Sequence, residues 1–419
     1  MYGWAKDLFP YNRSITGNGV RRTLSYIKEL LPDLEVHEVE SGKKVFDWTV
    51  PQEWNVNEAY IENEDGQRIV DFNDNNLHLV GYSEPINLKL PLDELENHLY
   101  SLPDQPNAIP FITSYYKKRW GFCLTENKRK MLKQGIYNVY IDSELTDGSL
   151  TYGELYIPGE TEEEILISTY ICHPSMANNE LSGPVVAVAV AQWLHSRNKS
   201  RYSYRILFIP ETIGSIVYLS EHWEELKKNV VAGYVLTCIG DNREYSYLRT
   251  RHGNTLADRA AIHILNSTVK SFNLYSYLVR GSDERNYCSP GIDLPVGSIM
   301  RSKYSTYPEY HTSLDNLELI SAAGLEGGFD VVCKTIDALE NNYYYKAVFM
   351  CEPQLGKRNL YPDLSTGYVD DEIQKTMNIL SYADGKTDLI EIAETIEANI
   401  QECAVIAEKL ERHGLLERV

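Results

Sequence analysis

The sequence predicts an α/β protein with a mainly parallel, doubly wound sheet, a small β-rich insert and a C-terminal winged helix. From residue 150 onward, apolar strands alternate with helical segments, as they do in parallel sheets with helices on both faces. Before that, short β-rich segments follow one another between turn residues. We therefore expect an α/β domain over 1–44 and 145–348, an inserted β domain over 45–144, and a winged helix over 349–419.

The composition excludes several classes of protein. The 419-residue chain carries a formal net charge of −20, which disfavours nucleic-acid and anionic-membrane binding because phosphate groups need a basic surface. Its 7 cysteines include no Cys-x-x-Cys pair, so we expect reduced thiols and a cytoplasmic protein. No run of about 18 apolar residues occurs, and the first residues lack the apolar core of a signal peptide, so we expect no membrane association.

An amphipathic helix is predicted near the N-terminus. Val20, Leu24 and Ile27 recur at helical spacing over residues 18–31, and Pro32 ends the pattern. Seven segments of the insert are predicted to form strands, over 45–51, 58–63, 67–72, 77–82, 86–91, 121–125 and 136–143. The α/β region is predicted to contain strands over 151–159, 164–171, 204–210, 230–240, 276–280 and 294–300, and helices over 182–197, 214–229, 255–266 and 319–340.

The C-terminal region favours three helices within 370–383 and 387–413, followed by a β-like tail, which together indicate a winged helix. A DNA-binding module of this kind should be basic. Residues 351–419 contain seven Lys/Arg and fourteen Asp/Glu, so we expect docking or dimerisation and no nucleic-acid partner.

One strand end is the first candidate for chemistry. The apolar run ending at Ile171 predicts a buried strand, and Pro174 prevents its continuation. His173 therefore lies at the carboxyl end of a strand, where open α/β sheets bind their ligands. Asn179 and Glu180 follow at the mouth of the next helix, so a metal site is one interpretation and a hydrogen-bonded loop histidine is the other.

Three further strand ends carry polar residues that could bind a metal or substrate. Glu211 follows the strand YRILFI, Asp241 follows GYVL, and His311 lies in the segment YHTSLD. Because such strand ends meet at one edge of the sheet, we expect these side chains to form one site.

This ordered set of motifs resembles the co-catalytic zinc aminopeptidases, the superfamily of bacterial leucyl aminopeptidase and glutamate carboxypeptidase. The resemblance covers roughly residues 145–345 and the first helix. The segments CHPSMAN, GSDERNYCSPG and PEYHT are similar to those of an aminopeptidase-like family with a β insert and a winged-helix tail, often associated with polysaccharide-biosynthesis gene clusters. The matching elements are His173, Asn179 with Ser182-Gly183, Glu211-Thr212-Ile213-Gly214, Thr237 or Asp241, Ser282-Asp283, and Tyr310-His311-Thr312-Ser313-Leu314-Asp315.

The resemblance implies a zinc-exopeptidase-like fold, one or two zinc ions and hydrolysis of an amide by water. His173 and His311 would be metal ligands, Asn179 would bridge the metals, and Glu211 would be the general base.

Several departures from the family pattern weaken a two-metal site. The bridging Asp is Asn179, the second Glu of the Glu-Glu pair is Thr212, the strand Asp falls near Thr237, and the Asp that orients the first histidine is Ser175. Two divalent ions need these anions between them. We therefore expect one metal, a weakly bound pair, or none. The candidate replacement ligands or substrate contacts are Asp241, Asp283, Glu309 and Glu180.

Three functions follow as hypotheses. The first is a metallo-aminopeptidase that cleaves an amide at the free amino end of a peptide or amino-acyl compound. The second is an amide hydrolase or deacylase acting on an amino-sugar conjugate in polysaccharide biosynthesis. The third is a non-catalytic binding or scaffold protein with a degraded metal site. A homodimer is plausible by analogy.

Three structural interpretations compete with these roles. Glu211 could be a carboxylate at a helix N-terminus stabilised by the helix dipole. Residues 283–285 could form a surface ion-pair cluster. His311 and Asp315 could belong to a capped turn.

Overall fold

The computed structural model describes residues 1–360 and 371–419. They form two compact units, the first comprising residues 1–257 and 273–329, and the second comprising residues 258–272 and 330–419 within the described ranges.

The strands in chain order are β1 (Glu35–Glu40), β2 (Lys44–Val45), β3 (Trp48–Thr49), β4 (Glu53–Glu62), β5 (Arg68–Asp71), β6 (Ile86–Pro91), β7 (Leu99–Tyr100), β8 (Phe122–Cys123), β9 (Ile136–Thr146), β10 (Ser149–Ile157), β11 (Glu164–Tyr170), β12 (Ser203–Ile209), β13 (Val230–Leu236), β14 (Ser246–Leu248), β15 (Asn273–Tyr275), β16 (Val296–Met300), β17 (Tyr344–Ala347), β18 (Asp384–Asp388) and β19 (Leu416–Arg418).

The helices in chain order are α1 (Tyr2–Leu8), α2 (Asn18–Leu30), α3 (Leu92–Leu95), α4 (Glu126–Lys130), α5 (Ser182–His195), α6 (Ile213–Asn229), α7 (Leu256–Thr268), α8 (Glu284–Tyr287), α9 (Ala322–Glu340), α10 (Asp371–Tyr382), α11 (Leu389–Thr395) and α12 (Ile400–Arg412). Within the described ranges, no helix combines the length and the hydropathy of a membrane span.

The first unit is built on an eight-stranded sheet with the order β1-β10-β12-β11-β13-β16-β14-β15. The central strands β12, β11, β13 and β16 pair in parallel, whereas β1, β10 and β14 join antiparallel neighbours towards the edges. All seven residues of β11 are buried, as expected for a strand covered on both faces. The predicted α/β class with a mainly parallel sheet core is confirmed.

The candidate site lies at the end of β11, where a buried turn leads into the helix α5. The helix α5 is apolar around most of its surface and mostly buried, because it packs in the layer that covers the sheet. A single π-helical turn, Ala177–Leu181, connects the end of β11 to α5 and is entirely buried. Such turns occur often at functional sites.

The insert forms a four-stranded antiparallel sheet of order β5-β4-β9-β6. Along β9, buried residues alternate with more exposed ones, so one face of this sheet covers a core and the other faces outward. The domain boundaries at residues 45 and 144 remain a prediction. The predicted strand over 77–82 is wrong, because this segment begins in a 3-10 turn, in which the Asn75 side chain accepts a hydrogen bond from the backbone of Leu77.

The second unit has a three-stranded antiparallel sheet of order β18-β17-β19 and the helices α10, α11 and α12. Apolar side chains of all three helices are buried, among them Ile379, Ile392 and Leu410. This is the arrangement predicted for a winged helix. Position 370, predicted as the first residue of its first helix, lies outside the described residues.

Two further predictions were incomplete or wrong. The seven-residue helix α1 was not predicted, since so short a segment carries little periodic signal. The segment 276–280 is not a strand. Ser276 caps a 3-10 turn there by accepting a hydrogen bond from the Leu278 backbone, and the strand β15 lies just before it.

Candidate metal centre

The candidate centre lies in loops that follow the central strands and contain unusual backbone conformations. His173 follows β11 and Glu211 follows β12. Four residues of these loops adopt positive φ without being glycine: Ser175 (46°), Thr212 (67°), Cys238 (48°) and His311 (56°). Such strained conformations cluster at binding and catalytic sites, so their presence here supports a functional role for these loops.

His173 and His311, which are far apart in sequence, lie next to each other. Their ring centroids are 5.4 Å apart. Phe111 from the insert packs against both imidazoles, at centroid distances of 5.1 and 5.2 Å, and Tyr310 stacks on His311 at 3.9 Å. Aromatic side chains therefore fix the two imidazoles on several sides.

Glu211 completes this group. One of its carboxylate oxygens is 3.6 Å from Nε2 of His173, and the other accepts a hydrogen bond of 3.0 Å from the Ser282 hydroxyl. Burial raises the pKa of Glu211, although His173 and Ser282 oppose this shift. We call His173, Glu211 and His311 the histidine half of the centre.

Behind His173 lies a buried pair of opposite charges. Nδ1 of His173 donates a 2.8 Å hydrogen bond to Glu180, whose other oxygen is 3.7 Å from Nε of Arg13. Arg13 also donates a 3.0 Å hydrogen bond to the His173 carbonyl, and the Arg13 and Glu180 side chains have no exposed surface. These contacts hold the imidazole so that Nε2 faces Glu211.

The pKa values of the two histidines shift in opposite directions. Burial disfavours the imidazolium of His173, but Cys172 and Glu180 outweigh burial and raise the pKa of His173 well above its ordinary value. Burial and the nearby His173 lower the pKa of His311 to about 3, so His311 is neutral. Its Nε2 is buried and has no hydrogen-bond partner among the described residues.

The residues at the other predicted ligand positions are uncharged. Nδ2 of Asn179 donates to the Tyr170 hydroxyl at 2.6 Å, and the Thr237 hydroxyl donates to the Asn179 carbonyl at 3.1 Å. The Asn179 side-chain oxygen is buried and has no partner within the described part of the chain. We call Asn179, Thr212 and Thr237 the neutral half of the centre.

Of the proposed replacement ligands, Asp241 and Glu309 are engaged elsewhere. Asp241 accepts hydrogen bonds from Asn178 at 3.0 Å and from the backbone and hydroxyl of Ser302 at 2.9 and 3.0 Å. Glu309 forms a two-pronged ion pair with Arg243 at 2.7 and 2.8 Å. Both carboxylates therefore connect loops through these contacts.

Asp283 is also engaged away from the histidines. It accepts 2.8 Å hydrogen bonds from the Thr212 backbone and the Ser215 hydroxyl, and burial raises its pKa to about 7. Asp283 and Glu284 are fully buried, so the alternative of a surface ion-pair cluster over 283–285 is wrong. Asp283 instead fixes the strained backbone of Thr212.

Asp315 caps a turn, but not the one that contains His311. Its carboxylate accepts hydrogen bonds from the backbone N–H groups of Ala177, Asn178 and Asn179 at 3.1, 2.6 and 2.9 Å. The π-helical turn of the neutral half is thereby tied to the loop that carries His311.

The donor types of the centre suit one divalent metal ion. Nε2 of His173, Nε2 of His311 and the Asn179 oxygen are nitrogen and oxygen donors of the kind that zinc binds, and the Glu211 carboxylate lies beside Nε2 of His173. Two of them, on His311 and Asn179, are buried and lack a hydrogen-bond partner in the described ranges, which is costly unless a ligand satisfies them. Glu211 is the only carboxylate in this set, so the centre offers one negative charge. This compensates part of the charge of one divalent ion and is too little for two.

A different set of donors occurs on the opposite side of His173. Donor atoms of Cys172, His173 and Glu180 lie within 4.8 Å of one another. We assign this group to positioning, because Nδ1 of His173 and Glu180 are at hydrogen-bond distance and burial raises the pKa of the Cys172 thiol to about 11.

An open cavity of about 350 Å³ leads to the histidine half. Glu211, His173 and His311 line its floor, and Phe111 and Tyr115 of the insert form part of its wall. This volume is in the range of small-molecule sites.

Comparison with known proteins identifies the family. Residues 2–342 match a family model described as a domain of unknown function, DUF4910, and residues 343–418 match a winged helix-turn-helix model. The chain belongs to the DUF4910 family. The C-terminal winged helix predicted from the sequence is thereby confirmed.

Relatives of this DUF4910 chain connect it to aminopeptidases. A protein of Clostridium acetobutylicum, provisionally named a polysaccharide biosynthesis protein with an aminopeptidase-like domain, is 46% identical and covers 100% of this chain and 96% of its own length. A crystal structure from the same organism, provisionally named a peptidase, is 45% identical with a TM-score of 0.94, covering 100% of this chain and 96% of that chain.

The fold is similar to that of a zinc aminopeptidase. The zinc aminopeptidase of Bacillus subtilis is 14% identical to this chain with a TM-score of 0.59, and the match covers 80% of this chain and 93% of that chain. The predicted resemblance to zinc aminopeptidases is confirmed for the fold.

Two contributions to the site of this DUF4910 protein were missed from the sequence. Arg13 lies 160 positions before His173 in a segment without a recognisable motif, so only the fold brings it to Glu180. Phe111 lies in the Pro-rich part of the insert, and an aromatic residue in a loop carries no signal for the site that it contacts.

Proposed function

We propose that the protein is a metal-dependent amide hydrolase with Glu211 as its general base. His173, His311 and Asn179 would hold one zinc ion, and the Glu211 carboxylate would lie beside it. When bound, zinc would polarise the scissile carbonyl and make its water more acidic.

The roles of the chain's own groups follow from their positions. Glu211 lines the cavity, and its raised pKa suits a group that takes a proton from water and returns it to the leaving amine. In this step the water oxygen bonds to the carbonyl carbon, the C–N bond breaks, and the proton ends on the amine nitrogen. Ser282 and His173 fix the carboxylate from two sides.

One observation carries the proposal: Glu211 and His173 lie 3.6 Å apart, beside His311, at the floor of an open cavity. An aminopeptidase acting at a free amino end and an amide hydrolase acting on an amino-sugar conjugate would both use these residues.

The test combines metal content with activity. The purified protein should contain about one zinc per chain by elemental mass spectrometry. Glu211→Gln should lower amide hydrolysis at least about a hundredfold while retaining the metal. Glu224→Gln, which changes an exposed carboxylate on α6, is the matched control and should leave activity unchanged.

Other results would redirect the proposal. Full activity in Glu211→Gln would remove the assigned base. Zinc far below one equivalent, with no hydrolysis after zinc or cobalt is added, would support the non-catalytic binding or scaffold protein.

We propose in addition a cytoplasmic protein that does not bind nucleic acid. All seven cysteines lie in the described residues and none forms a disulfide, which supports a reducing compartment. In the second unit, Lys375 and Lys409 are paired with the acidic Glu402 and Glu372, which leaves little basic surface for phosphate groups. Whether the chain forms a homodimer remains a prediction.

A further inference from the structure

We propose that Arg285 binds an anionic group of the substrate, so that the amide cleaved here carries a carboxylate or a similar oxyanion rather than a free ammonium. This inference rests on the proposed function, because it takes the cavity beside Glu211 as the place where the amide lies. It specifies the substrate class that the fold and the relatives leave open.

Arg285 is a cation at the wall of the cavity. It lines the cavity together with Glu211 and Thr212, and its guanidinium donates a hydrogen bond to the Thr212 hydroxyl. No acidic side chain of the described residues lies within the 4.0 Å ion-pair distance of this guanidinium, and the residue is half-buried. A guanidinium has five N–H donors in a planar fork that matches a carboxylate, so most of them remain available.

The cavity offers no counterpart for an ammonium. Glu211 is the only acidic residue among the described residues that line it. The other acids nearby are already engaged: Glu180 pairs with His173 and Arg13, and Asp283 accepts hydrogen bonds from Thr212 and Ser215. A substrate ammonium would therefore compete for the proposed base and meet the positive charge of Arg285.

Position 212 makes this contrast sharper. A second glutamate at this position, as the family pattern has it, would place an anion where Arg285 now donates to a neutral hydroxyl. Replacing that acid by Thr212 next to Arg285 changes the summed charge of the two side chains from neutral to positive. The remaining wall is apolar, with Ile15, Phe111 and Tyr115, and suits the carbon chain between the anion and the amide.

Three anilides of equal length test the inference. Succinyl, butyryl and β-alanyl 4-nitroanilide present an anion, a methyl group and an ammonium at the same distance from the scissile bond. For the wild-type protein we expect kcat/KM to fall in that order. The succinyl compound should be preferred over the β-alanyl compound by about a hundredfold, because Arg285 attracts the succinyl carboxylate and repels the β-alanyl ammonium.

Variants of Arg285 separate its charge from its shape. Arg285→Gln should lower kcat/KM for the succinyl anilide about tenfold or more, mainly through KM, and leave the butyryl anilide nearly unchanged. Arg285→Lys keeps the charge and should retain part of the preference. Arg280→Gln, which alters an exposed arginine outside the cavity lining, is the matched control.

Succinate binding, measured by calorimetry on the protein as purified, does not depend on catalysis. We expect Arg285→Gln to weaken it about tenfold and Arg280→Gln to leave it unchanged. Hydrolysis that prefers the β-alanyl anilide would overturn the inference and leave the proposed hydrolase intact. If no anilide is hydrolysed but succinate still binds in an Arg285-dependent way, the proposed hydrolase is wrong and the proposed anion site is supported. Neither hydrolysis nor Arg285-dependent binding would overturn both.

Discussion

The two halves of the candidate centre differ in how charge is used. The histidine half is surrounded by buried charged groups, with Glu211 on one side of His173 and the Glu180–Arg13 pair on the other. In the neutral half the side chains at the ligand positions are themselves uncharged, with Asn179 bonded to Tyr170 and Thr237. The carboxylates of Asp315 and Asp283 accept hydrogen bonds from the backbone of Asn179 and Thr212. A site for two divalent ions needs anions on both sides. At the ligand positions this chain retains a carboxylate on the histidine side, at Glu211, so we propose that it binds one cation.

The largest difference between the halves should be in stability. Arg13→Met leaves Glu180 buried without its cationic partner, and the loss of one member of a buried ion pair typically costs about 3–5 kcal/mol. Thr237→Val in the neutral half removes only hydrogen bonds of a hydroxyl and should cost about 1 kcal/mol. Denaturant unfolding of both variants would measure the contrast.

The double variant Arg13→Met/Glu180→Gln controls for simple loss of packing. It should recover part of the stability lost in Arg13→Met, because the buried carboxylate is no longer charged. Equal losses for Arg13→Met and Thr237→Val would show that charge does not distinguish the two halves.

Metal affinity should separate the halves next. His311→Ala removes a buried nitrogen that has no partner among the described residues, and should weaken zinc binding more than about a hundredfold, beyond the effect typical of outer contacts. Thr237→Val should leave the affinity within a few-fold of wild type. Competition with a chelating dye measures both, and an unchanged affinity in His311→Ala would remove this residue from the centre.

A smaller effect on zinc affinity is expected from Glu180, which contacts Nδ1 of His173. Glu180→Gln keeps the size of the side chain but removes the charge that orients His173, and should weaken zinc binding about 10- to 100-fold. Ser175→Ala is the matched control at the position where the family pattern has its orienting acid. If Ser175→Ala weakened binding as much as Glu180→Gln, the orienting role of Glu180 would be wrong.

The smallest change in zinc binding should come from introducing a negative charge into the neutral half. Asn179→Asp places an anion at the bridging position, and should allow a second, weaker zinc to bind. Native mass spectrometry at increasing zinc concentration would count the ions, with Asn198→Asp at an exposed position as the control. A second zinc in wild type at the same concentration would contradict the division into halves.

The sequence was informative where ligands follow strands and uninformative where the fold joins distant segments. His173, Glu211 and His311 were predicted together because each lies at the end of an apolar strand or in a recognisable loop motif. Arg13 and Arg285 were not assigned to the site. Arg13 lies in a loop without periodicity, and the charge run around Arg285 is equally typical of an exposed surface.

The elements of the fold also divide into those that the sequence predicted and those that it did not. The long apolar strands and helices of the sheet were predicted, since burial on both faces leaves a strong pattern. Helix α1 and the turn at Tyr277–Val279 were missed, because a side-chain cap or a few residues decide such short elements. Glu180 was predicted as a candidate ligand, and only the 2.8 Å contact with Nδ1 of His173 identifies it as the partner that orients this histidine.

The central claim is that one metal ion binds between His173 and His311, with Asn179 beside it, and that no second ion binds on the side of Thr212 and Thr237. An anomalous-scattering map at the zinc edge, from crystals of the full chain grown with zinc, tests it most directly. We expect one peak, in contact with Nε2 of both histidines. Two peaks about 3.5–4 Å apart, or a single peak on the Cys172 and Glu180 side of His173, would contradict the claim.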